Sequence, residues 1–142
     1  MAKKVIVIVE TGKDLFSCFI SKDSDEVGLG LHGTGKTVRA AIEDFYVCCD
    51  EEKTYLEEQG KAFPDVEFHF LFDVGAFFDY YPLSQTAFAK YIGMNSSLLR
   101  QYVAGIKTPQ GKSLEKIREG IEKVKGDIDA GMLIDRPVLQ YV

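Results

Sequence analysis

Hydrogen-bonding side chains are concentrated in one short segment of the second half of the chain. The segment begins at Asn95 and ends at Gly105, and helical periodicity separates its polar residues from Leu99 and Tyr102. Hydroxyl, guanidinium and amide groups on one helix face carry the donors and acceptors needed to pair with base edges in a major groove about 12 Å wide. The residues predicted to do so are Ser96, Ser97, Arg100 and Gln101.

A preceding helix must position this segment. Ser84 can accept a hydrogen bond from a free backbone N–H group as an N-cap. Gly93 can adopt the left-handed conformation that ends a helix, and Asn95 can cap the next one. The apolar face between these caps comprises Phe88, Ala89 and Ile92. Two short helices joined by three residues predict a helix-turn-helix.

The second half of the chain resembles the lambda-repressor-like helix-turn-helix family. The pattern is Ser84-Gln85-x-x-Phe88-Ala89-x-x-Ile92-Gly93-Met94-Asn95, followed by Gly105-x-x-x-Pro109. The resemblance extends to residue 124, because the family has a further helix after its Gly-x-x-x-Pro turn and residues 113–124 have a helical pattern. It departs from the family at Val103 and Ala104, where an acidic and a basic residue are common.

The resemblance implies that the chain binds double-stranded operator DNA as a homodimer. It implies that Gln85 contacts a phosphate or a base, that the four polar residues named above face base edges, and that Lys107 and Lys112 contact the phosphate backbone. The alternative is a helical hairpin that only packs or dimerises. That alternative gives no electrostatic reason for several basic residues to cluster in this segment. The residues are Arg100, Lys107, Lys112 and Lys116.

The net charge of −5 conceals two halves of opposite sign. Residues 1–83 hold 8 Lys and Arg against 16 Asp and Glu, a balance of −8, whereas residues 84–125 hold 8 against 3, a balance of +5. A basic segment suits phosphates, and an acidic one suits a basic partner. The asymmetry predicts two parts with different partners. We place the N-terminal domain at residues 1–73, up to the end of the last predicted strand, and the DNA-binding domain with a C-terminal tail at residues 74–142.

The N-terminal residues predict a small α+β domain of order β-β-β-α-β, followed by an all-α domain. Residues 5–9 and 15–20 predict a hairpin, residues 28–33 a short third strand, and residues 66–72 a last strand. Between the third and the last strand, Thr37 begins a long helix that ends at Gly60. Segregated strands with a single helix indicate an antiparallel-type sheet with the helix packed across it.

A P-loop pattern, Gly30-x4-Gly35-Lys36-Thr37, competes with this interpretation. It would place Lys36 on phosphates and Thr37 on a metal, with Asp73 as a magnesium ligand. The context argues against it, because a P-loop follows a buried parallel strand and belongs to a larger set of strand-helix units. We expect the glycines to shape a strand-to-helix turn, with Thr34 or Thr37 as the cap, and we expect no cofactor.

The segment Gly33-Thr34-Gly35-Lys36-Thr37-Val38-x-x-Ala41-Ile42 resembles the HicB-like antitoxin domain, which has a partial RNase H-like fold. The resemblance implies an antitoxin that sequesters a small basic HicA-like toxin, an mRNA interferase, and represses its own operon. The alternative is an orphan or phage-type regulator whose N-terminal domain senses a ligand or dimerises.

Catalytic and metal-binding sites are not expected. Glu10, Asp14 and Asp73 stand at strand ends, and the two histidines, His32 and His69, are far apart without a cysteine nearby. The three cysteines lack zinc-ligand spacing, and we interpret them as reduced apolar residues. No signal peptide or membrane-spanning run is present in the sequence, which predicts a cytoplasmic protein.

The apolar C-terminal tail predicts one more interaction. Ile128, Met132, Leu133 and Ile134 precede a last apolar stretch over residues 137–142. We expect this tail to pack against the rest of the chain or to pair as a strand. The strand could pair within the chain or with a second copy across a dimer interface. Deletion of residues 136–142 would then weaken dimerisation.

Overall fold

The structure is a computed structural model that describes residues 1–135. It contains a mixed four-stranded sheet and five α-helices. The predicted C-terminal strand falls on residues 136–142 and lies outside the described residues. The elements are β1 (Lys3–Thr11), β2 (Phe16–Ile20), β3 (His32–Gly35), α1 (Val38–Glu58), β4 (Val66–Phe72), α2 (Val74–Tyr80), α3 (Gln85–Ile92), α4 (Ser96–Val103) and α5 (Lys112–Asp127), with 3₁₀ segments at Lys22–Val27 and Ala130–Met132.

The sheet has the strand order β3-β2-β1-β4. The predicted hairpin is confirmed, since β1 and β2 pair antiparallel with Val9 opposite Cys18. The predicted antiparallel character is wrong for the last strand, because β4 pairs parallel with β1, with Val5 opposite Phe68. Helix α1 explains the difference. Its 21 residues carry the chain back along the sheet and across to the far edge, and a parallel pair needs such a crossover.

The third strand begins later than the glycine pattern predicted. Residues 28–31 form a loop in which Gly28 has a φ of 72°, and β3 then pairs His32 with Phe19 and Gly33 with Cys18. The strand is short because Thr37 already caps α1, its hydroxyl accepting a hydrogen bond from the Ala40 N–H group. The predicted capping role of Thr37 is confirmed.

Helix α1 covers one face of the sheet. Its buried residues are Val38, Ala41, Phe45 and Cys49. The Phe45 ring meets the edges or faces of the Phe68 and Phe70 rings in T-shaped contacts, with centroids 5.2 and 6.0 Å apart. This arrangement stabilises aromatic pairs beyond the area that they bury.

Close approach of α1 to the sheet depends on Gly33. A Cβ atom at this position would collide with the Ala41 carbonyl oxygen and with the Phe45 backbone. The helix backbone therefore occupies the space that the side chain of any residue type other than glycine would need at position 33.

The cysteines are free thiols, as predicted. Cys18 and Cys49 are buried in the core between the sheet and α1. Burial raises the pKa of the Cys18 thiol to about 11, and the nearby Asp44 carboxylate adds to the rise. Cys18 is therefore a protonated, apolar core residue at neutral pH.

The four helices after β4 enclose a second apolar cluster. Its buried members are Phe78, Phe88, Ala89, Met94, Leu99 and Ile117. The predicted starts and ends of α3 and α4 are confirmed within two residues, and α5 continues to Asp127 rather than stopping near residue 124. None of the helices within residues 1–135 is long and apolar enough to cross a membrane.

Helix α2 was not predicted, because its seven residues are too few to display helical periodicity. Asp73 caps it, with Oδ1 accepting a hydrogen bond from the Ala76 N–H group at 2.8 Å. Ala76 belongs to the first apolar cluster and Phe78 to the second. The predicted domain boundary after residue 73 therefore coincides with the start of a helix that packs into both apolar clusters.

The close approach at Gly33 can be tested by substitution. Gly33→Ala should lower the free energy of unfolding by about 1–3 kcal/mol, because α1 must move away from β3 to admit the methyl group. Urea denaturation measures this change. Gly30→Ala is the matched control, since a Cβ atom there has no neighbour within 4 Å and should change the stability by less than about 1 kcal/mol. Equal stability of the two variants would contradict the packing argument.

Candidate functional site

The turn between α3 and α4 holds the two helices in a fixed relation. Gly93 has a φ of 70°, and the N–H group of Met94 donates to the Ala89 carbonyl oxygen at 2.8 Å. This i to i−5 bond is the Schellman pattern that ends a helix at a left-handed residue. Asn95 then begins α4, and its side-chain oxygen accepts from the Ser97 N–H group at 2.8 Å.

Helix α4 separates its apolar and polar residues. Leu99 is fully buried, and its partly buried neighbours Leu98, Tyr102 and Val103 pack into the same cluster. The opposite side carries Ser97 and Arg100, both exposed. The Arg100 Nη2 atom lies 3.4 Å from the Ser97 hydroxyl oxygen, so the structure brings these two predicted residues together.

Ser96 and Gln101 differ from the two exposed residues of α4. Ser96 is half-buried at the first position of the helix. The side-chain carbonyl oxygen Oε1 of Gln101 is buried without a hydrogen-bond partner within residues 1–135. The main-chain carbonyl oxygen of Gln101 accepts from the N–H groups of Ile106 and Lys107, so the chain after α4 folds back onto this residue. Gln101 therefore presents less of its amide to solvent than its helical position predicted.

Basic side chains flank the turn on the side of α5. Lys112 and Lys116 line a shallow groove together with Asn95 and Leu98. The Lys116 Nζ atom donates to the Gly93 carbonyl oxygen at 3.4 Å, which links α5 to the turn itself. Lys116 was predicted only as part of the basic cluster, and the signal for its position was its place one helical turn after Lys112.

Lys107 and Gln85 lie apart from this groove. Lys107 is exposed in the loop between α4 and α5. Gln85 is half-buried at the first position of α3, and its side chain makes no hydrogen bond to the rest of the described chain. The structure therefore brings Ser97 into contact with Arg100 and places Lys112 and Lys116 in one groove. Gln85 and Lys107 belong to neither pair.

The positive charges of this region are not neutralised within the described chain. The ion pairs in residues 1–135 join Lys3 to Glu26 and His69 to Glu67, both in the N-terminal half. Arg100, Lys107, Lys112 and Lys116 form none. Exposed cations without carboxylate partners produce a positive potential that attracts anions.

The P-loop-like segment has its backbone donors occupied by carboxylates. The Thr34 N–H group donates to Asp44 Oδ2 at 2.9 Å, and the Val38 N–H group donates to Asp79 Oδ2 at 2.8 Å. A phosphate would need these donors and would face two negative charges. Gly33 and Gly35 belong to β3 rather than to a loop after a strand. The segment is therefore a capped strand-to-helix connection.

Asp73, the residue considered as a metal ligand, has a structural role. Its oxygens accept from the Thr11 N–H group and from the Thr11 hydroxyl, each at 2.8 Å, in addition to capping α2. Within residues 1–135, no three His, Cys, Asp or Glu side chains lie together in a way that could hold a metal ion. Comparisons with protein families, curated proteins and solved structures find no match for this chain.

The buried oxygen of Gln101 makes a prediction about stability. An unpaired buried carbonyl costs about 1–3 kcal/mol, so Gln101→Met, which keeps the length of the side chain, should raise the free energy of unfolding by about 1 kcal/mol. The urea midpoint measures the gain. Gln110→Met is the control, because Gln110 is exposed and should show no gain. A loss of stability in Gln101→Met would mean that the amide is hydrogen-bonded in solution.

Proposed function

We propose that the chain binds double-stranded DNA through α3, the turn and α4, with α4 as the reading helix of a lambda-repressor-like helix-turn-helix. The observation that carries the proposal is the exposed pair Ser97 and Arg100 on the side of α4 opposite the buried Leu99. A helix anchored by one face can present the other face to base edges in the major groove.

The arrangement of charge supports the same function. The balance of +5 over residues 84–125 belongs to a chain whose total is −5, so the positive potential is local. Lys112 and Lys116 lie beside the N-terminal end of α4, where the free N–H groups of a helix also favour phosphate. The proposed roles are base contacts for Ser96, Ser97, Arg100 and Gln101, contacts to the phosphate backbone for Lys107 and Lys112, and a contact to a phosphate or a base for Gln85.

The role of Arg100 is tested with duplexes selected by the wild-type chain from a random-sequence library. Arg100→Ala should weaken binding about 5- to 150-fold, because a bidentate arginine-guanine contact contributes about 1–3 kcal/mol. Arg100→Lys should keep the affinity for unselected duplexes and lose the preference for selected ones. Fluorescence anisotropy measures both.

The matched control removes the same charge elsewhere. Lys13 is exposed in the turn of the β1–β2 hairpin, so Lys13→Ala should leave DNA binding unchanged. Wild-type affinity and specificity in Arg100→Ala would remove Arg100 from the reading surface. Failure of the wild-type chain to enrich any duplex would overturn the proposal itself.

Contacts to the phosphate backbone have a different signature. Lys107→Ala and Lys112→Ala should weaken binding to all duplexes alike, because phosphates carry no sequence information. Each substitution should also reduce the slope of log affinity against log salt by about 0.9. Titrations at several salt concentrations measure the slope, and an unchanged slope would exclude a phosphate contact at that position.

We further propose that the chain is an antitoxin and autorepressor of a HicAB-like system, in which the acidic half binds a small basic mRNA interferase. The balance of −8 over residues 1–83 supports a basic partner. Much of that charge lies on α1, whose exposed acidic residues include Glu43, Asp50, Glu51, Glu57 and Glu58.

Co-expression with the neighbouring reading frame tests the antitoxin proposal. A small basic protein should co-purify with the tagged chain, should be toxic when expressed alone, and should be released by about 1 M salt, at which the Debye length is about 3 Å. A neighbouring product that neither binds nor is toxic would favour the alternative, an orphan or phage-type regulator.

A further inference from the structure

A cleft lies where α5 passes the end of β4 and helix α2. It encloses about 420 Å³, the part open to solvent included. Two of its lining residues, Phe78 and Ile117, are buried in the second apolar cluster. The other apolar lining residues are half-buried: Phe72, Val74, Phe77, Leu114 and Ile121. We call this space the α2–α5 cleft.

The lining of the cleft suits one small apolar group. Pockets for small molecules have volumes of about 300–1,000 Å³, are lined mainly by apolar and aromatic side chains, and contain few polar groups. The α2–α5 cleft is at the lower end of this range. Three of its lining residues are phenylalanines, whose rings favour edge-to-face or offset contacts with another aromatic ring. The cleft therefore fits a ligand with a single aromatic ring.

Two charged residues line the cleft, and they differ in what already binds them. The carboxylate oxygens of Asp73 accept from the N–H and hydroxyl groups of Thr11 and cap α2. Arg118 is exposed and forms no ion pair within residues 1–135, although Glu115 and Glu122 lie about one helical turn away on α5. The guanidinium group of Arg118 is therefore the charge that a ligand can pair with.

Arg118 shares one face of α5 with part of the apolar lining. Leu114 precedes it by one helical turn and Ile121 follows it by one turn, which is the spacing of neighbours along a helix surface. A guanidinium group binds a carboxylate through two parallel hydrogen bonds. The negative charge of Asp73 disfavours a second negative charge in the cleft, so a monocarboxylate fits better than a doubly charged phosphate.

We propose that the α2–α5 cleft binds a small aryl monocarboxylate, with its ring against the phenylalanines and its carboxylate paired with Arg118. The ring displaces water from the apolar lining, and the carboxylate pairs with a cation that has no carboxylate partner within residues 1–135. Occupation of the cleft requires neither DNA nor a protein partner, so this site stands apart from the function proposed above.

Isothermal titration calorimetry of the full chain with three probes tests the class of ligand. The probes are hydrocinnamate, its neutral amide and propionate. Hydrocinnamate should bind with a Kd below about 1 mM. The amide keeps the ring without the charge, and propionate keeps the charge without the ring, so each should bind at least about fivefold more weakly. Absence of hydrocinnamate binding, or equal binding of either other probe, would overturn the proposal.

Substitution of Arg118 tests where the carboxylate binds. Arg118→Gln should weaken hydrocinnamate binding about fivefold or more and leave binding of the amide unchanged, because only the acid pairs with the guanidinium group. The matched control on the same helix is Lys123→Gln. The Lys123 Nζ atom lies 5.1 Å from the centroid of the Tyr91 ring, and neither residue lines the cleft. Unchanged hydrocinnamate binding in Arg118→Gln, or an equal loss in the control, would overturn the proposal.

Filling the cleft tests its apolar part. Val74→Phe enlarges a lining side chain and should abolish binding of both hydrocinnamate and its amide. Val47→Phe is the control, because Val47 is 53% exposed on α1 and should leave binding unchanged. Circular dichroism verifies that both variants are folded. Binding that survives in Val74→Phe would overturn the proposal, as would hydrocinnamate-induced NMR shifts in the wild-type chain that exclude the lining residues of α2 and α5.

Discussion

Helix α2 must satisfy two apolar cores with only seven residues, and the placement of the other elements depends on it. Its Ala76 faces the core under the sheet, while Phe78 enters the cluster of α3, α4 and α5. At Gly75 there is no room for a side chain, because a Cβ atom would meet Thr11 at the end of β1 and the Val103 carbonyl at the end of α4. Asp79 then caps α1 through the Val38 N–H group. One short helix thus connects the end of β1, the start of α1 and the end of α4.

This connection explains how segments of opposite charge can share one structure. The acidic residues of α1 lie on the side of that helix away from the sheet, and the basic residues near α4 lie beside the α3–α4 turn. Apolar contacts through α2 hold the segments together, so the charged side chains remain exposed. Exposed charges keep their long-range attraction for a partner and pay little desolvation cost when they are unpaired.

Local signals in the sequence were sufficient for the elements that carry their own end markers. Helices α3 and α4 begin and end where the residue types of Ser84, Gly93 and Asn95 predicted. N-caps and left-handed glycines act within one helical turn, so these signals are local. The same holds for Thr37 at the start of α1. Three features could not be read in this way: the direction of β4, the existence of α2, and the burial of the Gln101 oxygen. The direction of β4 depends on its pairing with β1, which is distant in sequence. Helix α2 is too short to display helical periodicity, and the burial of the Gln101 oxygen depends on what packs around it rather than on its place in the helical period.

The sequence by itself determined the segregation of charge, the caps and the alternation of apolar and polar residues, because these are properties of composition and short spacing. Alternation along β1 therefore also determined that Ile6 and Ile8 lie on one face of the strand and that Val5, Val7 and Val9 lie on the other face. Only the tertiary structure decided that Val7 and Val9 join the apolar core under α1 and that Ile8 and Phe19 do not. It also decided that Arg100 and Ser97 are exposed together while the Gln101 oxygen is enclosed. Burial is set by which elements pack against each other, and a helical or strand period assigns residues to a face without stating what covers that face.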